Sequence, residues 1–138
     1  IFAKSYSVSD ASVKEKTIAL LNIGALTTNM AIVDNGTLRF SRDISFGVKD
    51  TALAGLSAET STSIDYYENQ NGRPVDKLLV SGGGSYSQDT LNFLSHQLNL
   101  PVDSFDILPG IAMDPGLNLE EFKPKKNLFA VALGLALR

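Results

Sequence analysis

Apolar and polar positions change period several times along this chain, and each change marks an element. Thr17 to Ile23 is a nearly continuous apolar run, the pattern of a strand buried on both faces. Thr28 to Val33 repeats it after a short turn, and Asp34-Asn35-Gly36 supplies a hairpin signal because Asn-Gly tolerates positive φ. Leu38, Phe40 and Ile44 then alternate with Arg39, Ser41 and Asp43, the period of two for a half-exposed strand. The opening therefore predicts an antiparallel meander of three strands. Leu53, Leu56, Thr60, Ile64 and Tyr67 share one face of a helix, which Asn71-Gly72-Arg73-Pro74 stops. Lys77 to Ser81 reads as a short strand running into glycines, and Ser87 as the N-cap of a helix carrying Leu91, Leu94 and Leu98. Leu100-Pro101-Val102 begins a last short strand, and Asp106 to Lys126 reads as a loop rich in proline and glycine. Asn127 is expected to cap a final helix, apolar nearly all round and so expected to pack into a core.

Composition narrows the class without choosing a function. At 138 residues the chain is one domain or one lobe of a larger one, and a chain of that length buries roughly two-thirds of its unfolded surface without a disulfide or metal. Residues 1–16 are polar and read as a leading segment or severed connector, with Ile1 in place of a starting methionine suggesting a fragment. The absence of cysteine removes disulfides, thiolate metal sites and cysteine nucleophiles, and fits a reducing compartment. A net charge of −3, with only the local cluster Lys123, Lys125 and Lys126, argues against a nucleic-acid surface. The longest apolar stretch, Leu128 to Leu137, is about half a membrane span.

Few residues offer chemistry. His96 lies about 140° round its helix from the leucine stripe, which makes it a surface residue rather than a ligand or base. Asp103, Asp106 and Asp114 have irregular spacing and no histidine among them, unlike a metal site. No Ser-His-Asp arrangement is visible, and Ser85 lacks the Gly-x-Ser-x-Gly frame of a nucleophile elbow. Of the adjacent Tyr66 and Tyr67, one is expected inside and the other in solvent. No catalytic and no metal-ligating residue is therefore assigned.

Two segments carry the functional signal: Leu20-Leu21-Asn22-Ile23-Gly24-Ala25-Leu26-Thr27-Thr28-Asn29 and Leu78-Leu79-Val80-Ser81-Gly82-Gly83-Gly84-Ser85. In each, an apolar run breaks into glycine and hydroxyl residues where a strand should end. Glycine lets backbone N–H groups approach a phosphate closely, and threonine hydroxyls add donors. Gly24, Thr27 and Thr28 form a candidate phosphate-holding hairpin, although alone they also describe a plain tight turn. Gly82-Gly83-Gly84 reads as a strand-to-helix turn flat enough for a base and ribose, or as a left-handed turn with no ligand. The helix after it would point its N-terminus at the same edge.

Here the chain resembles the actin-like ATPases, and among them the type IV pilus assembly PilM family, a relative of the cell-division protein FtsA. Leu21 to Thr28 resembles the second phosphate motif, whose pattern is Asp-Ile-Gly-Ala-x-Thr-Thr. Phe40-Ser41-Arg42-Asp43-Ile44 resembles the third strand, and Ser63 to Gln70 a helix signature. Leu79 to Ser85 with Leu91, Leu94, Leu98, Pro101 and Val102 resembles the adenosine-binding stretch, and Phe129 to Arg138 the closing helix. The resemblance covers nearly everything from Thr17 onward. The order of elements also matches the ribonuclease-H-like half of such ATPases: an α/β fold with a mixed sheet, an antiparallel meander plus parallel strands, and helices on its faces.

The resemblance implies a cytoplasmic scaffold, reaching the inner membrane through partners such as a PilN-like tail, that binds ATP between two lobes. Gly24, Thr27 and Thr28, with Asn22 at the metal-orienting position, would face the phosphates; Gly82, Gly83, Gly84 and Ser85 would border ribose and adenine. Three departures stand out. Asn22 replaces the family's aspartate, and a neutral amide cannot supply the anionic oxygen that orients hydrated Mg²⁺, so at most weak ATP hydrolysis is expected. The first lobe, with its phosphate loop and PilN groove, is not among these residues. The family's small inserted subdomain has no room between Phe46 and Thr51. An ATP-independent interaction module with the same fold, and an FtsA-like division protein, are the alternative expectations. An exposed lobe face also makes self-association an expectation.

Overall fold

Strand β1 (Thr17–Ile23) forms the centre of a five-stranded sheet because every one of its residues except Asn22 is buried. The computed structural model describes residues 15–47, 53–108 and 112–136. Most of the expected leading segment, the junction where an inserted subdomain is expected, and the last two residues lie outside the described residues.

On one side β1 pairs antiparallel with β2 (Thr28–Asp34), which pairs antiparallel with β3 (Thr37–Ile44). Asn35 and Gly36 form the tight turn at φ 49° and 74°, the left-handed geometry that the Asn-Gly pair predicts. A bulge between Ile32 and Val33 shifts the β2–β3 register. Leu38 is consequently an exposed edge residue rather than part of a covered face. On the other side β1 runs parallel to β4 (Lys77–Gly82), and β4 parallel to the three-residue β5 (Val102–Ser104). The order β3-β2-β1-β4-β5 is the expected mixed sheet.

Each sheet face has its own core. Ala19, Leu21, Ile23, Met30, Ile32, Leu78 and Val80 pack under α1 (Leu53–Asn71) and α2 (Gln88–Leu98), which contribute Leu56, Ile64, Tyr67, Leu91 and Leu94. Helix α1 also buries Ser57, Thr60 and Ser63, whose hydroxyls donate to the carbonyls of Ala54, Leu56 and Glu59, so each of these three buried donors is paired within the helix. Tyr67 is buried and Tyr66 exposed, as their adjacency requires. Burial raises the Tyr67 phenol above its ordinary value of 10.0, and the nearby Asp34 charge adds to the effect.

The opposite face, built on Ile18, Leu20, Ala31, Val33 and Leu79, is covered by Phe105, Ile107 and Ala130. Three expectations are corrected here. The segment after β5 is not all loop, since it holds the short helix α3 (Leu119–Phe122) and a 3-10 stretch over Lys123–Phe129. Asn127 is not an N-cap: it lies inside that 3-10 stretch, and α4 begins at Ala130 (Ala130–Ala136). Nor is α4 sunk in a core, because one short helix meets the sheet along one side only. Ala130 and Gly134 are buried and Leu133 packs on the second core, while Leu128, Phe129, Val131 and Leu135 stay exposed.

Candidate functional site

The parallel register of β1 and β4 decides where the two glycine-bearing segments meet. Ile23 pairs with Gly82 at the last rung of the ladder, so the Gly24 turn and the Gly82 turn leave the same sheet edge side by side. Strand order alone does not give this; it needs Asn22 opposite Ser81 and Ile23 opposite Gly82.

The first turn is closed by the Gly24 amide donating to the Thr27 carbonyl at 2.9 Å. A side chain at Gly24 would sit 2.8 Å from that oxygen, which fixes glycine there. Ala25, Leu26 and Thr27 are exposed, but Gly47 backs onto the Ala25–Leu26 peptide, where an added Cβ would lie 2.4 Å from the Leu26 nitrogen, so a ligand could reach the turn only from its outer side, where the Thr27 side chain is exposed. Thr28 differs. Its side chain is buried and its hydroxyl donates inward to the Phe46 carbonyl at 2.7 Å. Its proton is therefore committed to holding the segment after β3 against the turn.

At the second turn Gly82 has φ 77° and ψ −169°, a region essentially confined to glycine. A Cβ there would lie 2.5 Å from the Ile23 carbonyl oxygen and 2.8 Å from Asn22 Oδ1. Gly84 backs onto the Ile23 side chain just as closely. These two glycines are thus required by the sheet itself, whatever binds beside them. Gly83 opens a 3-10 turn (Gly83–Tyr86) and Ser85 is buried, donating to the Gly82 carbonyl at 2.8 Å. Ser87 then caps α2 as expected, accepting from the Thr90 amide at 3.3 Å.

Asn22 belongs to a polar row that crosses four strands in register. Ser81 donates to Asn22 Oδ1 at 3.1 Å, Asn22 Nδ2 to Asn29 Oδ1 at 3.5 Å, and Asn29 Nδ2 to Asp43 Oδ1 at 2.6 Å. The row passes from fully buried Ser81 to exposed Asn29 and Asp43. Reading single motifs missed it. The signal that finds it is parity: these are the polar positions that continue the faces of Leu20, Ala31 and Leu79.

This donor set does not fit a resident magnesium. Asn22 offers a neutral oxygen that already accepts a hydroxyl, and Asp43 stands two strands away. Among the described residues no group of three or more His, Cys, Asp or Glu could hold a metal ion. Asp103, Asp106 and Asp114 serve separate partners, namely Lys77, Lys126 and the Gly116 amide. Burial alone would raise the Asp106 carboxyl; the hydrogen bond and charge of Lys126, with the Leu108 amide, outweigh it and hold the group below its ordinary 3.8. His96 is exposed.

A further hollow of about 490 Å³, missed by the sequence reading, lies between β3 and α1 beside Phe46 and Gly55. Arg42 closes one side of it by pairing with Glu59 at 2.5 Å and donating to Ser63 at 3.1 Å.

No protein-family model matches the chain, and no curated protein is significantly similar to it. Solved structures are. A chain of the PilM-PilN type IV pilus biogenesis complex superposes with a TM-score of 0.79 at 21% identity, over 99% of this chain and 50% of that one. The ethanolamine utilization protein EutJ from Carboxydothermus hydrogenoformans gives 0.57 at 14% identity, over 99% and 52%. A Bacteroides thetaiotaomicron protein described as having an actin-like ATPase fold gives 0.50 at 12% identity, over 86% and 40%. The chain spans about half the length of these structures or less. Its fold is that of an actin-like ATPase lobe, and it is PilM-like in fold.

Proposed function

We propose that this chain is the nucleotide-binding lobe of a PilM-like cytoplasmic scaffold of type IV pilus assembly, in which ATP binding sets which surface is presented to a partner such as a PilN-like tail. One observation carries the nucleotide reading. The β1–β4 register sets the exposed Gly24–Thr27 turn and the Gly82–Ser85 turn next to each other, with α2 capped and leading away from the same edge. Backbone amides at both turns and the Thr27 hydroxyl are the groups that would meet phosphates and ribose. Asn22, Thr28 and Ser85 support the turns from within; their polar atoms are engaged by protein partners. The partner is proposed from the similarity in fold to a chain of the PilM-PilN complex. No helix among the described residues is long and apolar enough to cross a membrane, which suits attachment through partners.

Calorimetric titration of the protein with ATP, with and without Mg²⁺, tests this. Binding in both conditions, with an affinity that magnesium leaves unchanged, is the expected result. Asn22→Asp is expected to make the affinity magnesium-dependent by supplying a carboxylate beside the turn. No heat at millimolar nucleotide in either condition sinks the nucleotide reading.

A second reading is favoured by the inward commitment of the Thr28 and Ser85 hydroxyls: an interaction module that keeps the fold and works without ATP. Partner capture that is the same with and without nucleotide would select it.

A further inference from the structure

Asn127 is 5% exposed and lies at the meeting point of three segments. Its Nδ2 donates to Ser85 Oγ at 3.1 Å and to Ser104 Oγ at 2.7 Å, joining the 3-10 stretch of Lys123–Phe129 to the glycine turn and to the end of β5. Ser85 has spent its one proton on the Gly82 carbonyl, so toward Asn127 it acts as acceptor. The bonds therefore run in one direction, from the Asn127 amide through the Ser85 hydroxyl to the peptide of Gly82, the residue with the glycine-only backbone. Asn127 Oδ1 is buried without a hydrogen-bond partner. A side chain needed only to fill space would be apolar there, because an unfilled buried acceptor carries a desolvation cost. Two donated bonds therefore fix the position of this side chain between the glycine turn and the end of β5.

The far side of the same stretch is apolar and open. Leu128 and Phe129 follow Asn127 directly and are 54% and 42% exposed. Phe129 lies against Phe122, with centroids 5.3 Å apart, and both line a hollow of about 230 Å³ with Leu117. Any displacement of residue 127 moves this surface.

We propose that Asn127 is the positioning residue of the glycine turn, fastening it to the C-terminal segment so that occupancy of the turn and the order of that segment rise and fall together. The identity of the ligand rests on the nucleotide reading above; the clasp itself rests on these hydrogen bonds. Linkage makes the effect reciprocal: whatever holds the C-terminal segment also tightens the turn.

Amide hydrogen exchange on the whole chain tests it, with peptides covering residues 82–87, 127–136 and, as a reference, 18–32. Without nucleotide, Asn127→Ala is expected to speed exchange about tenfold in both the turn and the C-terminal peptide, leaving the reference unchanged. With millimolar ATP, the wild-type protein should slow in both regions and the variant in the turn alone. Ser85→Ala, which cuts the chain of bonds at its middle with little change in volume, should uncouple the regions in the same way and decides the matter if Asn127→Ala does not fold. Exchange that changes only around residue 127 in the variants, or ATP protection confined to the turn in the wild type, overturns the clasp. If ATP protects neither region, the nucleotide reading fails, and the nucleotide-free comparison alone upholds or overturns the clasp.

Discussion

Gly84→Ala asks whether the glycine run is required by the sheet or only by a ligand. A methyl group on Gly84 would lie 2.7 Å from Ile23 Cβ, 2.8 Å from its Cγ2 and 2.9 Å from its Cδ1. Ile23 is 1% exposed in the core under α1 and α2. Rotating its side chain cannot relieve the Cβ contact, because Cβ moves only with the backbone. Overpacking of this kind costs about 1–3 kcal/mol. Gly82→Ala should cost more. Its φ of 77° adds strain of ~1–3 kcal/mol, and its methyl would meet the Ile23 carbonyl oxygen at 2.5 Å, backbone that cannot rotate away. Gly36→Ala is the control, with φ 74° but nothing within 4 Å of the added methyl, so only the conformational cost of about 1 kcal/mol remains. The expected order of destabilisation is Gly82, Gly84, Gly36, read from urea unfolding at constant slope. Ile23→Ala alone should cost ~2–5 kcal/mol, and in the Gly84→Ala background about 1–2 kcal/mol less, since the new methyl fills part of the space left. A wild-type midpoint for Gly84→Ala, or strict additivity in the double variant, refutes the argument.

Three further predictions come from the same geometry. Ser87→Ala removes the side-chain acceptor of the Thr90 amide and should lower stability by about 1 kcal/mol in urea unfolding without altering the far-UV spectrum. Asp106 is held low by Lys126, so its contribution is present above the ordinary value of 3.8 and is lost as pH falls through the lower folded value. The melting difference between wild type and Lys126→Met should accordingly be small and positive at neutral pH, and vanish in acid. Tyr67 is raised by burial, so its contribution is complete below 10.0 and is lost as pH rises through the folded value. Tyr67→Phe should remove that alkaline component from a pH series of denaturation midpoints, and a wild-type-like alkaline slope in the variant would contradict the assignment.

Strands and helices proved legible where periodicity was strong. Thr17–Ile23 is a strand with the expected bounds, and Leu56, Thr60, Ile64 and Tyr67 are the buried stripe of α1. Asn127 was not legible. An asparagine before an apolar run is the usual helix-start signal, but the residue was claimed by partners far away in the chain, Ser85 and Ser104. The exposure of α4 was hidden for a related reason: composition reports how apolar a helix is, not how many surfaces are available to cover it. At the candidate site, the glycines could be read from the sequence, while the reason for Gly82 and Gly84 lies with Ile23, across the β1–β4 ladder.

The polar row explains why the site stands at this edge. Along one face of β1 the side chains run Ile18, Leu20, Asn22; along β4 they run Leu79, Ser81, and along β2 Val33, Ala31, Asn29. The apolar part of that face is covered by Phe105, Ile107 and Ala130, and the change to polar residues occurs at one level on all three strands. A sheet face can turn polar only where its groups find partners or water, and here Ser81, Asn22, Asn29 and Asp43 partner one another in sequence. The boundary of the cover is therefore written into strand parity, and it falls one rung before the two turns. Asn22 is placed to serve this boundary: its amide accepts from Ser81 and donates toward Asn29, a pair of tasks that a carboxylate could not perform together. Asn22, the position at which the chain departs from the phosphate motif it resembles, thus completes the row and serves the packing of its own sheet.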